Sequence, residues 1–159
     1  MPTQLLNLGQ LNRLAASVVI ASNPLLNVTP PFLGGQGALR LSPQGNITDF
    51  IDVLTGMVPS PVPFIGMMIA IPLLKTLPLC AAWQVQMQTN SLLGTITVRP
   101  DVSRGSGGLQ PFDLQNCGIV ECREMDFGGK ETDFGVIVKG TWYLNSSMWN
   151  GVANIAIPA

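Results

Sequence analysis

Histidine is absent from this sequence of 159 residues, and charged residues are scarce, with only eight basic and nine acidic side chains. Without an imidazole the chain has no base for a serine or cysteine catalytic dyad and no histidine ligand for zinc. The formal net charge of −1 leaves no basic excess with which to bind nucleic acid through its phosphates. The charged fraction of 11% is less than half of the roughly 25% found in an ordinary globular domain.

Hydrophobic residues are abundant, at 47% of the chain with a mean hydropathy of +0.36. This content excludes a disordered chain, because so much apolar surface can be buried by folding. A single domain of this size still leaves roughly a third of its unfolded surface exposed. We therefore expect part of the apolar surface to be covered by a membrane or by other protein subunits.

The membrane alternative is disfavoured by the length of the apolar runs. The best run extends from Phe64 to Leu74, well short of the roughly 20 residues that span a bilayer, and prolines and Lys75 bound it. The first residues show no basic segment followed by a continuous apolar segment, so they do not match a secretory signal peptide. We expect a protein that is made in the cytoplasm, has no membrane partner and is covered by further copies of the same chain.

Three cysteines, Cys80, Cys117 and Cys122, are an odd number and cannot form a closed set of disulfides. Cys117 and Cys122 are five residues apart, which matches no zinc motif and places them on opposite faces of a strand. We interpret all three as small buried side chains in a reducing compartment, with an interchain crosslink as the alternative.

Candidate catalytic and metal-binding groups are sparse. Asp49 and Asp52 would share one face of a helix, but a solvated helix face explains them without chemistry. The acidic residues between 121 and 133 are interrupted by basic ones and lack the spacing of a calcium loop. The glycine-rich segments lack the Lys-Ser/Thr that completes a phosphate loop. The sequence therefore predicts no enzyme, no cofactor and no metal site.

Alternating β-branched and apolar residues predict a chain made mainly of strands. The predicted strands cover residues 13–21, 38–41, 66–75, 94–99, 117–125 and 134–144. One clear helix is predicted from Leu77 to Leu92, with Thr76 as its N-cap and Gly94 as its stop. A second, short helix is predicted from Asn46 to Thr55, because apolar residues recur there at i, i+3, i+4 and i+7.

Prolines punctuate two further segments. Three alternating prolines predict an irregular or polyproline-like segment at Val58–Pro63, and Ser42–Gly45 is predicted to be a turn. Together the elements predict a mainly β, α+β fold: an antiparallel β-sandwich or small β-barrel with one flanking helix at about 77–92. We expect residues 1–159 to form one domain, with an extended N-terminal arm (1–12) and an apolar loop (45–64).

Four segments of the chain resemble one family of proteins. They are residues 45–51 (GNITDFI), 90–98 (NSLLGTITV), 117–127 (CGIVECREMDF) and 140–145 (GTWYLN). In their order and character they resemble the bacteriophage tail tube proteins, whose fold also serves pyocin-like particles and the type VI secretion tube. The resemblance extends over residues 37–149, most of the chain, and consists of structural patterns without catalytic chemistry.

The resemblance implies a structural virion protein. Six copies would join their sheets edge to edge into a ring, and rings would stack into the hollow inner tail tube that conducts the phage genome into the host. Tail sheath, baseplate and terminator proteins would be further partners, and DNA would pass through the lumen without specific binding. A channel for DNA should avoid strong basic attraction, and the slight excess of acidic over basic residues is compatible with that role.

Within this interpretation, we expect the apolar segment 45–64 to form the contact between stacked rings and the N-terminal arm to dock on a neighbouring subunit. The tryptophans are expected to be core or interface anchors rather than ligand-stacking side chains. The residues predicted to make contacts between subunits are Leu5, Leu8, Phe50, Val58, Phe64 and Trp149.

Two other functions stay open. A baseplate, terminator or secretion-tube subunit would share the fold and the assembly principle of the tail tube. A membrane-surface or lipid-binding module would also explain the apolar composition, although the sequence offers no basic amphipathic helix to support it. The purified chain distinguishes them, because tube subunits polymerise, whereas lipid-binding modules float with vesicles.

Overall fold

The computed structural model describes residues 16–29, 39–100, 109–130 and 132–149. This part of the chain is mainly β with one long helix, which confirms the predicted mainly β, α+β class. A short 3₁₀ turn, Pro24–Leu26, follows the first strand. The elements are, in order, β1 (Ala16–Ile20), β2 (Arg40–Gln44), β3 (Thr48–Val53), β4 (Gly56–Pro61), β5 (Phe64–Leu74), α1 (Pro78–Thr89), β6 (Leu92–Pro100), β7 (Phe112–Cys122), β8 (Asp133–Tyr143) and α2 (Ser146–Trp149).

Six of these strands form one antiparallel sheet in the order β1-β6-β7-β8-β5-β2, and the sheet curls into a half-barrel. Its longest ladder joins β5 to β8 and runs without a register shift from the Phe64↔Tyr143 pair to the Leu74↔Asp133 pair. β3 and β4 pair with each other as a hairpin that connects β2 to β5. The predicted sandwich or barrel therefore takes the form of one curled sheet and a separate two-stranded ribbon.

The core lies between one face of this sheet and α1. On β5 alternate residues from Ile65 to Leu73 are buried, and on β8 the inner-face residues Phe134, Val136 and Val138 are buried. Trp83 of α1 is fully buried and belongs to the same core cluster. Each aliphatic side chain buried in this way contributes about 1.5–3 kcal/mol, so the cluster accounts for how the sheet and the helix are held together.

The α1 helix begins and ends at residues other than those predicted. Its N-cap is Leu77 rather than Thr76, and no side chain caps the first turn. Pro78 occupies the first helical turn, where its missing N–H costs no helical hydrogen bond. The helix ends at Thr89, and Gly94 lies inside β6 with a φ of 74°, beside a β-bulge, so it does not stop the helix.

The short helix predicted over Asn46–Thr55 and the irregular segment predicted over Val58–Pro63 are both wrong, because this part of the chain forms the β3–β4 hairpin. The chain reverses through a two-residue turn between Val53 and Gly56, which are paired in the ladder. The φ of 149° at Gly56 lies in a region that favours glycine, so this residue makes the tight turn possible.

The expected apolar loop (45–64) is therefore an ordered ribbon. The predicted turn at Ser42–Gly45 is also displaced, since residues 42–44 belong to β2. The chain bends at Gly45, whose φ is 127°, and again at Ile47. These bends direct the chain out of the six-stranded sheet and into the hairpin.

The strand β7 starts earlier than predicted, and two register shifts against β8 break its alternation. Cys122 consequently lies opposite Val136 on the core side of the sheet, the same side as Cys117, and not on the opposite face. Cys117 is buried and Cys80 is half-buried, but Cys122 is exposed at the end of its strand. The prediction that all three cysteines are buried is therefore wrong for Cys122.

The two edges of the sheet differ. On β1, Val18 and Val28 exchange both backbone hydrogen bonds at 2.9 Å, and the Ile20 N–H donates to Asn27 Oδ1 at 2.8 Å. The chain thus occupies much of that edge with its own returning segment. On β2, the ranges that the structure describes supply only β5 as a partner. Of the two edges, β2 is the one without a second partner among the described residues, and Pro43 leaves it one N–H donor short.

Candidate assembly surface

The β3–β4 hairpin exposes apolar side chains on both of its faces. Phe50, 63% exposed, shares one face with Met57, and Ile51, 54% exposed, shares the other with Val58. Leu54 at the tip is fully exposed. A strand in an antiparallel sheet usually has one apolar face against the core and one polar face in water. This hairpin departs from that pattern, because apolar side chains stay exposed on each of its two faces.

Two prolines shape the outer edge of β4. Pro59 and Pro61 are two positions apart, so their nitrogens face the same edge of the strand. The Val62 N–H donates to the Ile47 carbonyl at 3.0 Å, and the alternation of the antiparallel ladder then turns both proline nitrogens outward. The outer edge of β4 consequently lacks two N–H donors and resists pairing with another strand. The β3 strand contains no proline and keeps its donors.

The base of the hairpin is fixed to the chain that follows β8. Asn145 Nδ2 donates to the Val62 carbonyl at 2.8 Å and reaches the Ile47 carbonyl at 3.5 Å. The Leu144 N–H donates to the Pro63 carbonyl at 2.9 Å. Asn145 has a φ of 54°, a left-handed conformation that asparagine tolerates better than most residues. The hairpin therefore has a set direction relative to the sheet, although its faces are uncovered.

Three of the six predicted contact residues lie in this region. Phe50 and Val58 are exposed on opposite faces of the hairpin. Phe64 is exposed at its base, where its ring packs edge-on against Tyr143 with the ring centroids 6.4 Å apart. Of the other three, two are outside the described residues and one is the last residue of α2: Leu5, Leu8 and Trp149.

The predicted contacts did not include four exposed hairpin residues, Ile51, Val53, Leu54 and Met57. Their signal was present but misinterpreted. Apolar residues at spacings of three and four fit a helical stripe, and they equally fit a strand with apolar side chains on both faces. The proline pair at 59 and 61 would have decided between the two, because its spacing of two suits an edge strand.

The sheet face opposite α1 carries polar and apolar side chains, Met68 and Ile137 among the apolar ones, and hydrogen bonds link some of the polar ones. Thr97 Oγ1 donates to Asp113 Oδ1 at 2.8 Å. Thr95 Oγ1 donates to Gln115 Oε1 at 3.2 Å. The charged residues on this face are six strand residues and Arg123, whose side chain lies against Gly135: Arg40, Arg99, Lys139, Asp113, Glu121, Asp133 and Arg123.

The chemistry available to the thiols is limited by burial. Burial raises the pKa of Cys117 to about 11 and also raises the pKa of Cys80. Because the thiolate is the reactive form, both side chains are weak nucleophiles at neutral pH. Across the ranges that the structure describes, no three His, Cys, Asp or Glu side chains are grouped to hold a metal ion. Within those same ranges, no helix has the length and apolar character needed to cross a membrane.

The hairpin is thus the described feature that most needs a partner. Each of its large apolar side chains would contribute about 1.5–3 kcal/mol if another surface buried it fully. No family model, curated protein or solved structure matches the chain. A function for the hairpin must therefore be inferred from its own geometry and from the motifs that resemble tail tube proteins.

Proposed function

We propose that this chain is the subunit of a self-assembling tube, in which hexameric rings stack into the inner tail tube of a bacteriophage and conduct its genome into the host. The observation that carries the proposal is the β3–β4 hairpin, an ordered ribbon with exposed apolar side chains on both faces. An isolated two-stranded hairpin is marginally stable in water at best. Its faces gain stability when neighbouring subunits cover them.

The hairpin makes the contact between rings in the proposed tube. Its two apolar faces can pack against two different subunits, one against Phe50 and Met57 and the other against Ile51 and Val58. Large exposed apolar patches in a monomer promote uncontrolled association, so a defined partner for each face removes that hazard. The contact repeats around the ring, and its stabilisation is multiplied by the number of copies.

Within a ring, the proposed contact joins the sheets at their edges. The β2 edge has no second partner among the described residues, whereas Val28 and Asn27 occupy much of the β1 edge. Unequal edges suit a heterologous contact, in which one surface of each copy meets a different surface of the next. Heterologous contacts close into a ring when the rotation between copies allows it.

The lumen of the proposed tube is lined by the sheet face opposite α1, because the helix covers the other face. Threonine and glutamine side chains and charges of both signs lie on this face beside apolar ones such as Met68 and Ile137. Each basic contact with a DNA phosphate would slow passage, so we expect the acidic side chains interspersed on this face to favour conduction over tight binding. Tail sheath, baseplate and terminator proteins are the further partners expected for a tube in the virion.

The test is to purify the full chain without detergent and to examine it by negative-stain electron microscopy and light scattering. Hollow rods, or rings with sixfold views, are the expected result. A monodisperse particle with the 16.9 kDa mass of one chain, at all concentrations, would contradict the proposal. Flotation of that monomer with lipid vesicles would instead assign the apolar hairpin to a membrane-surface module.

A further inference from the structure

The sheet face opposite α1 contains a hollow that crosses β5, β8 and β7 and opens to solvent. Its volume is about 450 Å³, within the roughly 300–1,000 Å³ of most small-molecule sites. Two of the residues that line it on this face, Gly66 of β5 and Gly118 of β7, have no side chain. The missing side chains lower the floor of the hollow between the longer side chains around it.

Two irregularities of β7 shape one side of the hollow. The pairing of β7 with β8 shifts register twice, once on either side of Gly118. Asn116 and Val120 lie within these two shifts, and both line the hollow. Asn116 has a φ of 52°, a left-handed conformation that costs free energy and recurs at ligand-binding sites. Bulges of this kind redirect side chains, and here they turn β7 residues toward the hollow.

Lys139 is the only charged residue among the described residues that line the hollow. Its side chain extends over β5, where a Cβ built at Gly66 would be 2.7 Å from Lys139 Cε and 3.5 Å from its Nζ. The ammonium group therefore lies in the hollow. The two carboxylates that β7 carries on this face are farther away. Counted from Gly66 along the strand registers, the backbone of Asp113 is about 12 Å distant and that of Glu121 about 16 Å.

An aromatic ring and two hydrogen-bonding side chains complete the hollow. The Phe64 ring is 54% exposed and packs edge-on against its cross-strand partner. Phe64 is two positions from Gly66 on the same face, so its ring and the Lys139 ammonium border a common space. Thr141, which pairs with Gly66, adds a hydroxyl, and Asn116 adds an amide. The hollow thus combines a flat apolar surface, a cation and neutral hydrogen-bonding groups.

We propose that this hollow binds a small planar organic anion, whose ring stacks on Phe64 and whose phosphate or carboxylate group pairs with Lys139. A cation with no carboxylate beside it in the hollow favours an anion, and hydrogen bonds to charged groups are roughly twice as strong as neutral ones. The exposed aromatic ring favours a planar group, because flat rings stack on it. Nucleoside monophosphates and aromatic carboxylates share this chemistry. The inference does not rest on the proposed tube, since one copy of the chain contains the whole hollow.

Equilibrium dialysis of the full chain tests the site with four probes, each used alone: deoxyadenosine monophosphate, benzoate, deoxyadenosine and inorganic phosphate. We expect saturable binding of a planar anion with one ligand per chain. Deoxyadenosine and phosphate each lack one of the two recognised groups and should bind at least tenfold more weakly. Binding of deoxyadenosine monophosphate without benzoate identifies a nucleotide site, and the reverse identifies an aromatic carboxylate site. If neither planar anion binds saturably, the proposal is overturned.

Four variants locate the binding. Lys139→Met removes the charge and should weaken binding about tenfold or more. Gly66→Ala keeps the charge but displaces the flexible end of Lys139, so it should also weaken binding. Phe64→Ala removes the stacking surface and should weaken binding about fivefold or more. Arg99→Met lies on the same face outside the hollow and should bind like the unmodified chain. Circular dichroism checks that each variant is folded, and Lys139→Gln replaces Lys139→Met if that variant is not. Unchanged binding by the Lys139 variant, or equal weakening by Arg99→Met, would contradict the site.

Discussion

The six-stranded sheet and the β3–β4 hairpin use the same kinds of side chain in opposite ways. Ile69 and Ile71 of β5 are buried in the core, whereas Ile51 of the hairpin is more than half exposed in an equally regular strand. Both regions consist of regular antiparallel strands. They differ in whether the rest of the chain covers their apolar side chains. The comparison shows that a regular strand with exposed apolar side chains lacks a covering surface. Under our proposal another copy of the chain supplies that surface.

This contrast separates changes that act on stability from changes that act on assembly. A truncation in the core removes contacts that the chain makes with its own residues, so it should lower the free energy of unfolding of a single copy. A truncation in the hairpin removes few such contacts, so it should act on association. The predictions below test the contrast from the largest expected effect to the smallest.

Trp83→Ala should have the largest effect on a single copy. Its side chain is fully buried between α1 and the sheet, and removal of so large a group costs about 3–5 kcal/mol of unfolding free energy. Urea denaturation followed by far-UV circular dichroism measures the loss. Val85→Ala on the exposed side of the same helix should stay within about 0.5 kcal/mol of the unmodified chain. Equal effects of the two variants would show that α1 does not pack as described.

Asn145→Ala should loosen the hairpin at its base. The variant loses the hydrogen bond to the Val62 carbonyl and places alanine at a left-handed φ, together a cost of about 1–3 kcal/mol. Asn145→Gly keeps the backbone conformation accessible and should cost less. Hydrogen exchange should accelerate in the hairpin more than in β5. Exchange that rises equally across the whole sheet would contradict a local role for this residue.

Gly140→Ala should crowd the core beneath β8. A Cβ at this position would meet Cys117 Sγ and lie 3.0 Å from Leu114 Cβ, so overpacking should cost about 1–3 kcal/mol. The same substitution should cost less in a Cys117→Ala background, where the sulfur is gone. A double-mutant cycle in urea measures this coupling, and strictly additive effects would rule out the contact.

The thiols should react in the order of their exposure, without any mutation. Cys122 should be alkylated first, Cys80 more slowly and Cys117 only on unfolding or at high pH, as mass spectrometry of the peptides would show. Burial raises the folded pKa of Cys117, so its protonated form stabilises the fold fully below the ordinary pKa of 9.0. This contribution is lost as the pH rises through about 11. Rapid alkylation of folded Cys117 at neutral pH would contradict its burial.

The sequence predicted the covered part of the fold well. Alternation from Phe134 to Val138 gave β8 with the correct inner face, and the strand predicted over residues 66–75 is confirmed as β5. The helix at 77–92 was confirmed as α1, with its ends moved inward by up to three residues. These elements are predictable because each packs one apolar face against another part of the same chain. The apolar residues of that face recur at the period of a strand or a helix, which the sequence shows directly.

The candidate site could be predicted only as a segment. Residues 45–64 were identified as apolar contact surface, but the hairpin was mistaken for a helix and an irregular stretch. A ribbon with apolar side chains on both faces shows no regular alternation of apolar and polar residues. Under our proposal its side chains are buried by other copies and not by this chain. The register shifts in β7 were equally hidden, because bulges depend on pairing with β8.

The most direct test of the central claim is Phe50→Asp, with Phe50→Leu as its matched control. The thermal midpoint is measured at a dilution where light scattering gives the mass of one chain, and rod formation is followed by electron microscopy at high concentration. We predict that Phe50→Asp leaves the midpoint within about 2 °C of the unmodified chain and abolishes rods, whereas Phe50→Leu still forms them. Normal rods from Phe50→Asp, or a fall in its midpoint as large as that of Trp83→Ala, would contradict the claim that the hairpin serves assembly.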